Sequence, residues 1–254
     1  MTTHVQTATP LLSVRGLSKS FGNVQAVDNV SLDIFPKEVI GLVGDNGAGK
    51  STFLSLLSGY NIKDSGQFFF RGKEVEVTSP RTSRRELGIE MIYQNLSLAP
   101  DLTVWENIFL GEELARWRLF MRRRDMIAQA ERVLRQLNSK VSANDFVGNL
   151  SGGEQQLVAI SRALLFERDL IIMDEPTAAI SLAKVRDVLD LILSLKQHGK
   201  SVIIVSHRLE DILTVADRIV VFARGRIREI LENKDLTIES LVRAIFGDLE
   251  GGAK

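Results

Sequence analysis

Five short apolar runs rich in β-branched residues recur along the chain and predict a buried sheet. They occupy residues 39–43, 89–93, 170–173, 202–205 and 218–222. Most are apolar at consecutive positions, which is typical of strands covered on both faces in a mainly parallel sheet. Stretches with helical periodicity lie between them, at residues 51–57, 154–166 and 183–196. This alternation predicts an α/β fold.

Two regions depart from that alternation. Residues 11–38 and 66–77 alternate in the manner of antiparallel strands, and residues 98–148 lack a convincing buried strand but contain helix-like segments at 104–113 and 124–137. We therefore expect a single domain over residues 11–254, with an N-terminal antiparallel β region. The core of this domain would comprise residues from about 11 to 97 and from about 154 to 230. A helical subdomain at about 98–153 would separate these two parts, and a C-terminal helix would follow the core at about 237–247.

The amino-acid composition limits the classes of partner that this protein can have and indicates its cellular compartment. Lys and Arg total 32, Asp and Glu total 32, and the formal charge is therefore zero, without the basic excess of a typical duplex-binding protein. The absence of cysteine excludes disulfides, thiolate metal sites and cysteine nucleophiles. No apolar run approaches the roughly 20 residues of a membrane-spanning helix, and the N-terminus lacks the features of a secretory signal. We expect a cytoplasmic protein that does not bind nucleic acid.

A glycine-rich turn follows the first predicted parallel strand. Its sequence, Gly44-Asp-Asn46-Gly47-Ala48-Gly49-Lys50-Ser51-Thr52, matches G-x-x-x-x-G-K-[ST] in the strand–loop–helix context that this motif requires. Backbone N–H groups of such a loop surround a phosphate, and the helix N-terminus adds partial positive charge. We expect Lys50 to reach the β- and γ-phosphates of a nucleotide and Ser51 to bind Mg²⁺. The motif predicts a P-loop NTPase core but does not separate a kinase from an ATPase.

Polar residues suited to phosphate chemistry follow three further strands. Gln94 follows the strand at 89–93, Asp174 and Glu175 follow 170–173, and His207 comes shortly after 202–205. Because ligands of parallel sheets bind beyond the carboxyl ends of the strands, we expect these side chains to meet. Asp174 is then a metal ligand with Ser51, and Glu175 orients and partly deprotonates the attacking water. Gln94 contacts the metal or the water, and His207 hydrogen-bonds the γ-phosphate.

A second glycine-rich helix start lies at Leu150-Ser151-Gly152-Gly153-Glu154-Gln-Gln. The spacing of Ser151 and Glu154 predicts a capping box, which accounts for those two residues but not for the two glycines. Consecutive glycines are costly unless a backbone must approach another group closely. The helix start is therefore predicted to be a second anion site.

These motifs together resemble the ATP-binding-cassette ATPases, and the resemblance extends over roughly residues 11–230. The matching features, in order, are the phosphate loop, Gln94, the sequence after Leu150, the run ending in Asp174-Glu175-Pro-Thr177, and His207. The resemblance implies a homodimer or paired cassettes packed head to tail. Each ATP would lie between one chain's phosphate loop and Ser151, Gly152 and Gly153 of the other chain.

Two further residues are interpreted through this resemblance. Phe21 resembles the aromatic residue that stacks on adenine, and the alternative is an ordinary core phenylalanine. Ser181 stands where the family usually has an aspartate that couples the two sites. A serine cannot supply that charge, so site-to-site coupling is open to question.

The segment from Tyr93 to Glu113, and the segment from Ile204 to Asp211, look like the carbohydrate-importer branch of the family. The function implied is an ATPase subunit that powers import of a small sugar through a separate membrane permease. An extracytoplasmic solute-binding protein would act with it, and the chain would lie at the cytoplasmic face of the inner or plasma membrane. The alternatives are an ATPase that drives another solute or an exporter, and a soluble cassette protein without a transport role.

The section after Gln94 is where this family docks a helix of the membrane subunit. Trp105, Phe109 and Trp117 either line that groove or belong to the core. A basic cluster nearby is either a solvated face, which is favoured, or a contact with lipid head groups or the permease. It comprises Arg116, Arg118, Arg122, Arg123 and Arg124.

Overall fold

A computed structural model describes residues 9–116, 120–178 and 182–247. Its strands are β1 (Leu12–Phe21), β2 (Val24–Ile34), β3 (Val39–Gly44), β4 (Ser65–Phe70), β5 (Lys73–Val75), β6 (Ile89–Ile92), β7 (Ala115–Arg116), β8 (Phe120–Met121), β9 (Leu170–Asp174), β10 (Ser201–Val205), β11 (Arg218–Ala223) and β12 (Arg226–Glu232). Its α-helices are α1 (Lys50–Leu57), α2 (Pro80–Glu86), α3 (Val104–Phe109), α4 (Arg123–Gln136), α5 (Gly152–Leu165), α6 (Leu182–Gln197), α7 (Leu209–Val215) and α8 (Ile238–Phe246). The chain is α/β, as the pattern predicts.

The central sheet is mainly parallel. Its strand order is β12-β11-β3-β10-β9-β6. The five apolar runs were predicted to form a mainly parallel sheet. This prediction is confirmed, because parallel pairing joins all five of their strands, which are β11, β3, β10, β9 and β6. Only the edge strand β12 pairs antiparallel, to β11. Residues of β3, β9 and β10 are buried on both faces, between two separate apolar clusters. This two-sided burial explains why the runs are continuously apolar.

An antiparallel sheet precedes and flanks the parallel one. Its strand order is β2-β1-β4-β5, which confirms the N-terminal antiparallel β region. Its inward residues share one apolar cluster with Phe53 and Leu54 of α1 and with Phe222 of β11. The ring of Phe53 lies 5.3 Å from that of Phe222. The helix that follows the phosphate loop is therefore anchored between the two sheets.

Helices α3, α4 and the first half of α5 enclose a third apolar cluster. Trp105 and Phe109 are 2% and 1% exposed within it, so of the two alternatives for these residues the core is correct. Trp117 lies outside the described residues. Helix α3 ends at Phe109 and not at residue 113, because the backbone leaves the helical conformation at Leu110, where ψ is 115°, and then turns at Gly111, where φ is 78°. The short pair β7–β8 was not foreseen, since two residues per strand leave no periodicity to detect.

The basic cluster lies partly on this helical region. Arg122 pairs with Asp125 at 2.5 Å, and the Arg123 guanidinium lies 5.5 Å from the centre of the Trp105 ring. Arg124 is exposed. Arg118 and the side chain of Arg116 lie outside what is described. The local ion pair and the cation–π contact agree with the favoured interpretation, a solvated face.

None of the helices in the three described ranges is long and apolar enough to cross a membrane.

Candidate nucleotide-binding site

A cavity of about 390 Å³ opens beyond the carboxyl ends of β3, β6, β9 and β10. Eleven of the residues singled out in the sequence line it: Asn46, Gly47, Ala48, Gly49, Lys50, Ser51, Thr52, Gln94, Asp174, Glu175 and His207. Parallel pairing in register explains the convergence, because Val205 of β10 pairs with both Leu42 of β3 and Asp174 of β9. The four strands therefore end at one edge of the sheet.

The phosphate loop needs glycine at two positions for steric reasons. Gly44 has a φ of 144°, and a Cβ there would come within 2.1 Å of the Phe222 carbonyl oxygen. Gly49 has a φ of 103°, and its Cβ would come within 2.2 Å of the Ala26 carbonyl oxygen. The loop is therefore pressed against β11 and the start of β2. Gly49 also caps α1 without any side-chain hydrogen bond, so the first N–H groups of α1 stay available to an anion.

Lys50 is nearly buried at the start of α1. Its ammonium donates to the carbonyl oxygens of Gly44 at 2.6 Å and of Asp45 at 2.9 Å. Within the described part of the chain these are its acceptors, so one of its three N–H bonds is open to a phosphate oxygen. Burial lowers the pKa of Lys50, and the charges of Glu175, Asp45 and Asp174 oppose that shift.

Asp174, Ser51 and Gln94 offer oxygen donors to the same cavity. Burial raises the pKa of Asp174, and the positive charge of Lys50 only partly offsets this effect. The described ranges contain no group of three or more His, Cys, Asp or Glu side chains that could hold a metal by themselves. One carboxylate with hydroxyl and amide oxygens suits Mg²⁺, which binds through one or two carboxylates, water and substrate phosphates.

Glu175 and His207 contact each other within the cavity. The His207 backbone N–H donates to Glu175 Oε2 at 3.2 Å, and Nε2 of the His207 ring lies 3.2 Å from Oε1. That second contact lacks hydrogen-bond geometry, since Oε1 is buried without a hydrogen-bond partner. Burial raises the pKa of the Glu175 carboxyl, and the His207 backbone N–H opposes the rise. A carboxylate with a raised pKa is suited to accept a proton.

The backbone of Glu175 is also strained. Its φ is 52°, in the left-handed region that a glutamate seldom adopts. Such a conformation costs roughly 1–3 kcal/mol and persists only where neighbouring contacts hold it. The turn aims the Glu175 side chain into the cavity while Asp174 remains at the end of β9.

Phe21 lies at the exposed end of β1, outside the residues that line the cavity. Its side chain is 47% exposed, so the alternative of a core phenylalanine is wrong. The Lys19 ammonium lies 5.5 Å from the centre of its ring. Residues 24–26, which follow the turn after β1, do line the cavity. Phe21 pairs with Val24 across this turn, so it lies next to a residue of the cavity lining.

The second glycine-rich helix start is separate from this cavity. Ser151 precedes α5, and Gly152 and Gly153 form its first turn; the structure does not bring them to the phosphate loop of the same chain. The predicted capping box is present, because Glu154 Oε2 accepts the Ser151 backbone N–H at 2.8 Å and the Ser151 hydroxyl at 2.6 Å. Gly153 lines a different cavity of about 640 Å³, between the end of α4, the start of α5 and α6.

Sequence reasoning missed several contributors to these sites. Gln25, Ala26, Arg224 and Gly225 also line the nucleotide cavity, and the Gly225 N–H donates to the Ala48 carbonyl at 2.8 Å. Lys184 of α6 donates to the Ser151 hydroxyl at 2.8 Å. These residues carry no motif of their own, and only their position in the fold reveals them. Ser181 lies outside the described residues.

A phosphate loop, strand-end carboxylates and a histidine, together with a glycine-rich helix in a helical region, define an ATP-binding cassette. A sequence profile of the family described as "ABC transporter" matches residues 27–178. The chain belongs to the ABC transporter family.

Relatives and solved structures agree with this assignment. The xylose/arabinose import ATP-binding protein of Sulfolobus acidocaldarius is 42% identical over 92% of this chain and 93% of its own length. A ribose import ATP-binding protein of Caldanaerobacter subterraneus is 38% identical over 94% of this chain, which spans 48% of that protein. A nucleotide-free ATP-binding cassette from an ABC transporter matches with a TM-score of 0.79 and 27% identity, over 92% of this chain and 94% of that one.

Proposed function

We propose that this chain is the ATP-hydrolysing subunit of an importer and that it powers uptake of a small sugar through a separate membrane permease. The nucleotide cavity carries the proposal, because it unites a phosphate loop with Asp174, Glu175 and His207. The names of the two relatives favour import, and they favour xylose, arabinose or ribose as the class of solute. In this proposal an extracytoplasmic solute-binding protein delivers the sugar, and the permease holds the chain at the cytoplasmic face of the membrane.

The roles of the residues follow from their chemistry. The loop N–H groups, the start of α1 and Lys50 bind the phosphates and offset their charge. Ser51, Asp174 and Gln94 would hold Mg²⁺, which supplies charge neutralisation for the phosphates when it is bound. Glu175 accepts a proton from the attacking water as the oxygen–phosphorus bond forms and the bond from the γ-phosphorus to the bridging oxygen breaks. The exposed His207 side chain is placed to donate a hydrogen bond to the γ-phosphate.

Phe21, Ser151, Gly152 and Gly153 complete the proposed nucleotide site. Phe21 stacks on the adenine, which its exposed position at the end of β1 permits. A Cβ at Gly153 would meet only the Lys184 side chain, at 3.6 Å, so no described contact within this chain requires glycine there. We infer that these glycines serve a second copy of the chain, whose ATP they contact together with Ser151. Two copies, packed head to tail, then form two complete sites.

Dilution of the purified protein tests the paired site. We expect ATP turnover per mole of chain to fall in proportion to concentration once the chain is monomeric, because a monomer lacks the second half of each site. Sedimentation at the same concentrations reports the oligomeric state. Constant turnover per mole at dilutions where only monomer sediments would contradict the paired site.

Reconstitution with a permease tests the transport role. Proteoliposomes that contain the chain, its permease and internal ATP, with the solute-binding protein outside, are expected to hydrolyse ATP in step with uptake of xylose, arabinose or ribose. Lys50→Ala should abolish both activities, because the phosphates lose their buried cation. Lys234→Ala is the matched control, since the Lys234 side chain is 82% exposed and lies 3.9 Å from Glu232, outside the cavity lining. Transport of an unrelated solute, with no response to these sugars, would contradict the proposal.

A further inference from the structure

A buried hydrogen bond joins the two loops that carry Glu175 and His207. The Thr177 hydroxyl donates to Asp211 Oδ2 at 2.7 Å, and the two residues are only 3% and 2% exposed. Thr177 lies two residues after Glu175, and Asp211 lies in the first turn of α7, four residues after His207. Neither Thr177 nor Asp211 is among the residues that line the nucleotide cavity.

Two contacts with Arg208 hold Asp211 at the base of the loop that carries His207. Its backbone N–H donates to the Arg208 carbonyl at 3.1 Å, and its Oδ1 lies 3.4 Å from Arg208 Nε. The Arg208 backbone N–H in turn donates to the Ser206 hydroxyl at 3.0 Å. The Asp211 carboxylate therefore contacts both loops, through the hydrogen bond from Thr177 at one oxygen and through the charge of Arg208 at the other.

The two loops meet at three successive points around the strained turn at Glu175. The Glu175 N–H donates to the Val205 carbonyl at 2.9 Å, and the Glu175 carboxylate accepts the His207 N–H at 3.2 Å. The bond from Thr177 to Asp211 is the third contact, on the C-terminal side of the turn. A left-handed φ in a non-glycine residue requires such support from its surroundings.

We propose that Asp211 is a positioning residue for the Glu175 carboxylate and acts through the buried hydroxyl of Thr177. When the third contact is lost, the turn relaxes and the Glu175 side chain leaves the place from which it orients the attacking water. The phosphate loop and α1 do not depend on this contact, so nucleotide binding is retained. The inference rests on the proposed ATPase function and assigns two further residues to it.

Three variants separate positioning from ordinary stabilisation. Thr177→Val removes the hydroxyl at nearly constant volume, whereas Thr177→Ser retains it. Ser83→Ala is the matched control, because the Ser83 hydroxyl makes a buried hydrogen bond of 2.9 Å to the Leu57 carbonyl, away from the cavity. We expect Thr177→Val to lower kcat about tenfold with the ATP dissociation constant within about twofold, and Thr177→Ser to restore most of the turnover.

Comparison of Thr177→Val with the control Ser83→Ala defines the result that overturns the inference. If Thr177→Val loses thermal stability to the same extent as Ser83→Ala but keeps the parent kcat, the bond is only structural. Should Thr177→Val fail to fold, Asp211→Asn replaces it, because the amide removes the charge that attracts Arg208 and leaves one acceptor oxygen in place of two for the Thr177 hydroxyl. We then expect a fall in kcat of about threefold, again without a change in ATP affinity, and an unchanged kcat overturns the inference.

Amide hydrogen exchange supplies a readout that does not require turnover. The N–H groups of His207 and Arg208 are hydrogen-bonded within this arrangement, so Thr177→Val should speed exchange in a peptide covering residues 206–212. Ser83→Ala should leave that exchange unchanged. Unchanged exchange in Thr177→Val overturns the inference, whether or not the parent protein is active. A parent protein that hydrolyses no ATP contradicts the proposed function instead, so the two failures are distinct.

Discussion

The starts of α1 and α5 share a glycine-rich sequence, but they differ in whether an acidic side chain of the same helix is already bound there. Helix α1 begins after Gly49 with no side-chain cap and no acidic residue in its first turn. Helix α5 begins after Ser151 and already holds an anion, because the Glu154 carboxylate accepts two hydrogen bonds from Ser151. These bonds lower the pKa of Glu154, so it remains charged.

This difference shows why a glycine-rich helix start is not by itself a phosphate site. At α1, Lys50 and the open N–H groups face a concave cavity, and an anion there meets positive charge from both. At α5, the cap satisfies part of the helix end internally, and the Lys184 ammonium binds the Ser151 hydroxyl. The α5 start therefore forms no comparable anion site within the described part of its own chain, and in our proposal it contributes to a site on a second chain. Four predictions test the contrast.

Glu175→Gln is expected to have the largest effect. The amide keeps the shape of the side chain but cannot accept a proton from water, so kcat should fall about a thousandfold while ATP remains bound. The ATP-bound variant should elute as a dimer from a sizing column, because the nucleotide that joins two chains persists. Glu229→Gln, on the edge strand β12, is the control and should hydrolyse ATP at the parent rate. Unchanged turnover in Glu175→Gln would rule out its role as the base.

Ser151→Arg should lower turnover about a hundredfold without weakening ATP binding to the isolated monomer. The long cation would occupy the face that we assign to the nucleotide of the partner chain. Thr103→Arg is a matched control, because Thr103 caps α3 with the same pair of contacts to Glu106, at 2.8 and 2.5 Å. Both variants should lose about 1 kcal/mol of stability with the cap. Weaker ATP binding in monomeric Ser151→Arg would place this serine in the site of its own chain.

Phe21→Ala should weaken ATP binding about fivefold, a smaller effect because Phe21 lies outside the residues that line the cavity. Stacking of a base on an aromatic ring contributes about 1–3 kcal/mol where it is fully formed. The Phe246 side chain is 55% exposed and lies on α8, so Phe246→Ala controls for loss of an exposed ring. Titration with a fluorescent ATP analogue measures both affinities. Equal affinities in the two variants would remove Phe21 from the site.

Asp174→Asn should abolish turnover but raise the melting temperature by a few degrees near pH 7. The folded state raises the pKa of Asp174 by burial, so the ionised carboxylate destabilises the fold at any pH above that raised value. Below the ordinary pKa both states hold a neutral carboxyl, so the gain from asparagine should vanish as the pH falls. Calorimetry between pH 3 and pH 8 follows the difference. A melting temperature of Asp174→Asn below that of the parent at pH 7 would contradict the burial effect.

Most of the architecture could be predicted because it rests on local pattern. The continuous apolar runs indicated the parallel strands, and the turn at Gly44–Lys50 indicated the phosphate loop through its spacing alone. The end of α3 was placed too late, since the pattern alone did not show that the helix would stop before Gly111. The adjacent strands β7 and β8 were too short to be detected.

The site was predictable where residues follow strands and unpredictable where they come from loops. Gln94, Asp174, Glu175 and His207 could be grouped because parallel strands end at a common edge. Gly225 and Ala26 enter the cavity by packing against the phosphate loop, and nothing in their own sequence surroundings indicates this. The burial of Trp105 and Phe109 likewise depended on how three helices pack.

The sequence by itself determined the class of fold, the phosphate loop and the chemistry available at four strand ends, because each depends on residues close together in the chain. Tertiary structure decided what those residues contact. It opened the start of α1 to a cavity, it raised the pKa values of Asp174 and Glu175 by burial, and it joined Thr177 to Asp211. Burial and hydrogen bonding between distant segments arise only when the chain has folded, and no local pattern encodes them.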